Sequence, residues 1–250
     1  MKFLLLTVDG PASETIDSGA PMAHPKFSYH QVAKTIDHSL LKPEMTREQV
    51  AEGCAIAKKY DVASVCCRPA DVQFCADHLK GTDVEVGTVV GFPHGSNETA
   101  TKVFETELAI KHGATEIDMV LNIGLLKSGE FQAVQDDIAA VVRAAGGKMV
   151  KVILENAYLT DEEKVKGCQL SEAAGAHYVK TSTGYAPTGA TLEDVKLMRA
   201  SVSPSVKVKS AGGVRTLDAL LAMMEAGVTR SGATTTAAML DEYVARFGRD

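Results

Sequence analysis

One pattern repeats along the chain from about Ser28 onward: a run rich in β-branched residues, a turn, and an amphipathic stretch that ends near a glycine. The β-branched runs begin 22 to 33 residues apart, which is the length of one strand–helix unit. We predict strands over residues 34–37, 62–66, 84–90, 116–121, 149–154, 178–181, 206–209 and 228–232. Eight such units in succession predict a (β/α)8 TIM barrel.

Capping residues predict helix boundaries that fit the same repeat. Thr46 with Gln49 and Thr160 with Glu163 have the spacing of a capping box, so each pair is expected to begin a helix. Helices are expected to end at the glycines shortly before predicted strands, because glycine adopts the left-handed conformation freely. These glycines are Gly113, Gly146, Gly175 and Gly227.

An open, doubly wound sheet is the alternative fold, and it normally carries a glycine-rich loop after its first strand. The turn over residues 38–43 contains no glycine, and no G-x-G-x-x-G motif occurs in the chain. We therefore expect a single barrel domain over residues 28–250. Residues 1–27, with three of the eight prolines, are interpreted as a poorly ordered N-terminal extension or a strap on the barrel surface.

Composition excludes several classes of protein. The chain has 26 basic and 32 acidic residues and a net charge of −6, so nucleic acid is not an expected partner. The apolar run at residues 3–6 is too short for a signal peptide or a membrane span. Five cysteines without a C-x-x-C motif indicate a reducing, cytoplasmic compartment. The scattered histidines predict no metal site, and we expect no cofactor.

Charged residues within the predicted strands mark the expected site, because TIM-barrel enzymes place their sites at the C-terminal ends of the strands. Asp37, Asp118, Lys151, Lys180 and Lys209 occur there. Two partly desolvated ammonium groups lower each other's pKa, so one lysine can be neutral enough to attack a carbonyl while a carboxylate moves protons. The pattern predicts a metal-free Schiff-base aldolase and equally allows purely structural ion pairs.

Two glycine-containing loops predict an anion site. Residues 211–215 follow strand 7, and residues 232–236 follow strand 8. TIM barrels commonly bind phosphate in these two loops through backbone N–H groups and hydroxyls. Either loop alone could be only a turn or a helix cap, but the two together favour a phosphate-bearing ligand.

Four segments resemble the signature segments of the deoxyribose-phosphate aldolase family of class I, Schiff-base aldolases. They are TIDHSLLKP at residues 35–43, EIDMVLNIG at 116–124, VKTSTG at 179–184 and KSAGGVRT at 209–216. The resemblance implies reversible cleavage of 2-deoxy-D-ribose 5-phosphate to D-glyceraldehyde 3-phosphate and acetaldehyde, a step of deoxyribonucleotide and carbohydrate catabolism. Family members are often dimers, so the resemblance allows a homodimer, although no residue of the sequence identifies an interface.

The resemblance further implies roles for individual residues. Lys180 would form the Schiff base, Lys209 would perturb it and Asp118 would shuttle protons, with Asp37 and Thr181 in support. The residues implied around the phosphate are Gly184, Gly212, Gly213, Val214, Arg215, Gly232, Thr234 and Thr235. Tyr185 departs from the many members that carry a phosphate-holding lysine there, although others carry an aromatic residue.

Two other functions stay open. One is a Schiff-base aldolase for a keto acid or ketose phosphate, which would need more cationic loop residues than Arg68 and Arg215. The other is a non-catalytic sugar-phosphate-binding protein on the same scaffold, against which the set of lysines and aspartate argues. A zinc-dependent aldolase is a more distant alternative.

Overall fold

The computed structural model describes residues 26–249. Most of the predicted N-terminal extension therefore lies outside the described residues, and its boundary stays a prediction. The described part begins with a short helix, α1 (Tyr29–Ala33), which Ser28 and Gln31 start through a capping box. The Tyr243 hydroxyl donates to the carbonyl of Phe27 at 2.7 Å, so the chain contacts the last helix before it enters the first strand.

Within these residues, eight parallel strands pair in sequence order, and the eighth closes on the first. This confirms the predicted (β/α)8 TIM barrel. The strands are β1 (Ile36–Leu40), β2 (Ser64–Cys67), β3 (Glu85–Val90), β4 (Glu116–Val120), β5 (Met149–Ile153), β6 (Tyr178–Lys180), β7 (Lys207–Ala211) and β8 (Val228–Ala233).

The helices lie between the strands in the chain and surround the barrel. After α1 they are α2 (Arg47–Tyr60), α3 (Val72–Leu79), α4 (Thr99–Lys111), α5 (Ile123–Lys127), α6 (Phe131–Ala144), α7 (Asp161–Ala173), α8 (Leu192–Ala200), α9 (Leu217–Glu225) and α10 (Thr236–Phe247). Both predicted capping boxes are present, at the starts of α2 and α7. None of the described helices combines the length and the apolar character needed to cross a bilayer.

The predicted start of the first strand at Lys34 is wrong, because α1 extends that far. Lys34 is the C-cap of α1, and the Thr35 hydroxyl donates to the Gln31 carbonyl at 2.8 Å. The strand begins two residues later, at Ile36, and runs on to Leu40. The other seven strands lie within two residues of their predicted positions.

The apolar core lies between the barrel and the helices, and the barrel interior is charged. In β5, Val150 and Val152 belong to the apolar core, whereas Lys151 between them points to the opposite face of the strand. Lys151 is 1% exposed, so that face is also shielded from water. In β5 the alternation therefore separates an apolar outer face from an inner face that carries a buried charge.

The pairing of β7 with β8 contains an irregularity. Val208 pairs with Val228, but the next residue of β7, Lys209, pairs with Arg230, so Thr229 is an extra residue in β8. Such a bulge reverses the alternation of the side chains that follow it. Arg230 is thereby turned into the barrel beside Lys209 instead of outwards towards the helices.

Candidate active site

The three residues predicted to be catalytic lie together inside the barrel. Lys180 and Lys209 are paired neighbours on β6 and β7. Both Nζ atoms donate to the same carboxylate oxygen, Asp118 Oδ2, at 2.8 and 2.7 Å. The strand register therefore places two ammonium groups around one carboxylate.

Asp118 is held in its ionised form. Complete burial alone would raise its pKa, but Lys151, Lys180 and Lys209 together outweigh burial and lower that pKa well below the ordinary value. Lys151 donates to the second oxygen, Oδ1, at 2.8 Å. Asp118 is therefore ionised near neutral pH and has no proton of its own to donate.

The two lysines differ in their electrostatic surroundings. Burial is the main cause that lowers the pKa of Lys180, and nearby Lys209 lowers it further, although Asp118 opposes both. Burial also acts on Lys209, but the carboxylates of Asp118 and Asp37 outweigh it and raise the pKa of Lys209. Asp37 lies 2.5 Å from the Lys209 ammonium. Lys180 is therefore the lysine that loses its proton more easily.

A cavity of about 540 Å³ opens above these groups at the C-terminal ends of the strands. Lys180, Lys209 and Asp37 line it, whereas Asp118 is fully buried and is not part of its wall. A ligand in this cavity reaches the lysines directly. It reaches Asp118 only through an intervening group.

Seven of the eight residues predicted to surround phosphate line the same cavity. They are Gly184, Gly212, Gly213, Val214, Arg215, Gly232 and Thr234. The eighth, Thr235, lies outside that lining, and its hydroxyl donates to the Arg215 carbonyl at 3.0 Å. Thr235 therefore fixes the loop that carries Arg215.

Gly212 is where backbone freedom is needed. Its φ is +74°, and a Cβ there would lie 3.1 Å from the Cα of Gly189, so a side chain would meet both strain and a packed loop. Thr181 holds the end of β7, directly before Gly212, because the Thr181 hydroxyl accepts a hydrogen bond from the Ala211 N–H at 3.1 Å. The supporting role of Thr181 at the site stays a prediction.

Several groups at the site were not predicted. Glu116 and Arg230 lie beneath the lysines, and the loop after β1 lines the cavity over residues 41–44. Glu116 could have been found from its spacing of two from Asp118, and Arg230 from being charged within a buried strand. Residues 41–43 of the β1 loop belong to a segment that resembles the family signature, but their place at the cavity was not predicted, because the backbone path of the loop depends on its partners in the fold.

Tyr185 and Cys66 also line the cavity. The Tyr185 hydroxyl donates to the Leu41 carbonyl at 2.7 Å, and its ring meets Phe92 edge to face at 5.5 Å. It therefore links the loops after β6 and β1 and brings no charge to the cavity. Burial raises the pKa of the Cys66 thiol to about 11, so this thiol is protonated near neutral pH.

A barrel with two buried lysines around one carboxylate at the C-terminal ends of its strands has the equipment of a lysine-dependent aldolase. The sequence profile described as DeoC/LacD family aldolase matches residues 31–244. The chain belongs to this family of aldolases, which are class I enzymes.

Named relatives agree with this assignment. The deoxyribose-phosphate aldolase of Staphylococcus epidermidis is 58% identical over 202 residues, which cover 81% of this chain and 92% of the relative. The deoxyribose-phosphate aldolase of Streptococcus uberis is 53% identical over 218 residues, covering 87% and 99%. Among solved structures, the tetrameric deoxyribose phosphate aldolase from Aeropyrum pernix superposes with a TM-score of 0.81 at 28% identity, covering 86% and 92%.

Proposed function

We propose that this aldolase reversibly cleaves 2-deoxy-D-ribose 5-phosphate to D-glyceraldehyde 3-phosphate and acetaldehyde through a Schiff base on Lys180. The observation that carries the proposal is the lysine pair on Asp118 at the base of a cavity whose rim is formed by glycine-rich loops. The names of relatives that are 53% to 58% identical support the choice of substrate.

In the first step the neutral Nζ of Lys180 attacks C1 of the open-chain sugar. The carbinolamine that forms loses water and becomes an iminium ion. Lys209, which stays protonated between Asp37 and Asp118, can supply the proton that leaves with that water. Lys180 therefore acts as the nucleophile and Lys209 as the acid.

In the second step the C2–C3 bond breaks. The C3 hydroxyl loses its proton, C3 becomes the aldehyde carbon of D-glyceraldehyde 3-phosphate, and the bonding electron pair moves into an enamine on C2 and C1. The ionised Asp118 is the final acceptor of the proton. Because Asp118 lies behind the lysines, we expect the proton to reach it through a water molecule or Lys209.

In the last step a proton returns to C2, and water hydrolyses the imine. Acetaldehyde leaves and the Lys180 amine is regenerated. Because every step is reversible, the same groups catalyse the condensation of acetaldehyde with glyceraldehyde 3-phosphate.

The loops after β6, β7 and β8 are proposed to hold the phosphate. Gly212 and Gly213 both have positive φ angles, of +74° and +88°, which allow backbone N–H groups to approach an anion closely. Arg215 and Thr234 are exposed at the cavity and add a charge and a hydroxyl. Phosphate binding therefore depends mainly on backbone geometry, which fits the aromatic residue at position 185.

The test combines turnover with trapping. We expect acetaldehyde to be released from deoxyribose 5-phosphate, and borohydride reduction with acetaldehyde to leave an ethyl group on Lys180 in peptide mass mapping. An adduct on Lys209 would overturn the assignment of roles. Turnover of a ketose phosphate or keto acid without turnover of deoxyribose 5-phosphate would favour the rival aldolase, and loss of activity in chelator would favour a zinc enzyme. Binding without either turnover or adduct would favour a sugar-phosphate-binding protein.

We also propose that the protein works in the cytoplasm as a homodimer. All five cysteines are free and buried, which suits a reducing compartment. The Aeropyrum pernix relative is described as a tetramer, so assembly occurs among similar proteins. Cell fractionation tests the compartment, and light scattering of the purified protein distinguishes a dimer from a tetramer or a monomer.

A further inference from the structure

A second layer of charge lies beneath the lysine pair. Arg230 contacts Glu116 through Nη2 at 2.5 Å, and its Nη1 lies against Asp37. Lys151 contacts Glu116 at 2.7 Å and Asp118 at 2.8 Å. The layer is continuous with the site, because Asp37 and Asp118 belong to both.

The barrel interior contains more cations than carboxylates. Among the described residues, the connected cluster comprises four cationic side chains and three carboxylates, all of them buried. They are Lys151, Lys180, Lys209 and Arg230 with Asp37, Glu116 and Asp118. A buried excess charge is costly, so the cluster is electrically balanced only when one cation is neutral.

The contacts decide which cation becomes neutral. Lys151 has three carboxylates within 4 Å, whereas Lys209 and Arg230 have two each. Lys180 has one, Asp118. Arginine keeps its proton in proteins, so the proton that is lost with the smallest loss of ion pairing is that of Lys180.

We propose that Glu116 and Arg230 are positioning residues: they set the charge balance of the barrel interior so that Lys180 is the cation that gives up its proton. The inference rests on the proposed function, since it explains why the nucleophile is reactive. Neither residue lines the cavity, so neither would touch the substrate.

The bulge in β8 makes this arrangement possible. Without Thr229 as an extra residue, regular alternation would place Arg230 on the outer face with Val228. Glu116 and Asp37 would then face the lysines without their guanidinium partner. The irregular pairing is thus the backbone feature that brings the fourth cation into the barrel.

The ionisable groups around Lys180 come from most of the strands. Cys66 on β2 stays a thiol, because burial raises its pKa to about 11, and Glu85 of β3 is exposed at the strand start. The remaining groups on the inner face are Asp37 on β1, Glu116 and Asp118 on β4, Lys151 on β5, Tyr178 on β6, Lys207 and Lys209 on β7, and Arg230 on β8. Two further buried groups have partners outside the cluster: Glu155 after β5 accepts from the N–H and the hydroxyl of Thr183, and His38 of β1 contacts the Thr236 hydroxyl at 2.8 Å. Lys207 is exposed below the ring of Tyr178 and does not join the cluster.

Opposite charge changes in this layer should move the pH profile in opposite directions. Glu116→Gln removes a negative charge, which makes protonated Lys180 less stable, so the acid limb of kcat/KM should shift by about one unit to lower pH. Arg230→Gln removes a positive charge and should shift that limb by about one unit to higher pH. The double variant should return the limb close to that of the parent enzyme.

Two further variants act as controls. Arg230→Lys keeps the charge and should keep the parental limb. Arg246→Gln removes a partly exposed surface arginine that also has two acidic partners, Asp218 and Glu242, and should leave the profile unchanged. A purely structural role would lower the melting temperature and kcat without opposite shifts.

The yield of the borohydride-trapped ethyl adduct on Lys180, measured against pH, gives a second readout that does not require turnover. Three results would overturn the proposal. The acid limb could stay in place in both single variants, it could shift in the same direction in both, or the limb of the double variant could differ from that of the parent enzyme. If Arg230→Gln does not fold, an unmoved limb in Glu116→Gln overturns it alone. A parent enzyme that forms the adduct but does not cleave deoxyribose 5-phosphate would instead overturn the proposed function.

Discussion

Among the residues that the structure describes, lysine and carboxylate side chains form two buried clusters, and the two differ in charge balance. Outside the barrel, Lys102 of α4 contacts Asp137 of α6 at 2.6 Å and the Val120 carbonyl at 3.1 Å. The Thr99 hydroxyl donates to the other oxygen of Asp137 at 2.8 Å. One cation meets one carboxylate, and the polar atoms of the pair are satisfied.

Inside the barrel, by contrast, four cations share three carboxylates. The balanced buried pair of Lys102 and Asp137 joins two helices, and its carboxylate stabilises the protonated form of the lysine. A buried cluster with one cation in excess favours a neutral amine at its least paired position. Burial of a lysine alone therefore does not indicate catalysis, whereas burial together with unequal pairing does.

The largest expected effect comes from removing the amine of Lys180. Lys180→Met should lower kcat by about 10⁴-fold or more, because no imine can form without it. Steady-state cleavage of deoxyribose 5-phosphate and intact-protein mass after borohydride trapping measure this change. Lys180→Arg restores a positive charge without a usable nucleophile and should be equally inactive. Substantial activity in either variant would mean that another residue forms the Schiff base.

The balanced pair should respond in stability instead of catalysis. Lys102→Met leaves Asp137 buried with an unpaired charge and should lower the free energy of unfolding by about 3–5 kcal/mol. Urea denaturation measures the loss. Adding Asp137→Leu should recover much of it, while the acid limb of the pH profile of the folded enzyme stays in place. A shifted limb would show that this pair is coupled to the site after all.

The smallest of the three effects is the change in pH dependence that removing Lys209 adds to a lower kcat, which follows from the loss of the proposed acid. Lys209→Leu removes the cation next to Lys180, so protonated Lys180 becomes more stable and its pKa rises. The acid limb of kcat/KM should move by about one unit to higher pH. Lys207→Leu on the same strand is the matched control, because Lys207 is exposed, and its profile should not move. If the two variants have the same pH profile of kcat/KM, Lys209 does not lower the pKa of Lys180.

Much of the fold could be predicted from the sequence because its signals are local. The capping boxes at Thr46 and Thr160 fix helix starts through contacts three residues apart. The β-branched runs at residues 178–181 and 206–209 place Lys180 and Lys209 within their strands. The strand order that makes them neighbours then follows from the barrel. The start of β1 was misplaced because β propensity at Lys34 and Thr35 gave way to the C-terminal end of α1.

The lower charge layer was harder to predict for a different reason. Regular alternation assigns Arg230 to the same face as Val228, and only the register with β7 shows that Thr229 interrupts it. The link between Tyr185 and the Leu41 carbonyl is likewise a contact between loops that are far apart in the chain. Such contacts depend on how the barrel closes, which no local pattern reports.

The extra residue in β8 has a consequence for protein engineering. A chimaera that exchanges the last strand–helix unit for one from a barrel with regular pairing would change the direction of the strand's side chains, even if the arginine were retained in the alignment. Recombination points are therefore better placed so that Val208, Lys209, Val228, Thr229 and Arg230 are inherited as one block. Libraries that respect this boundary should retain a working nucleophile more often than those that cut between β7 and β8.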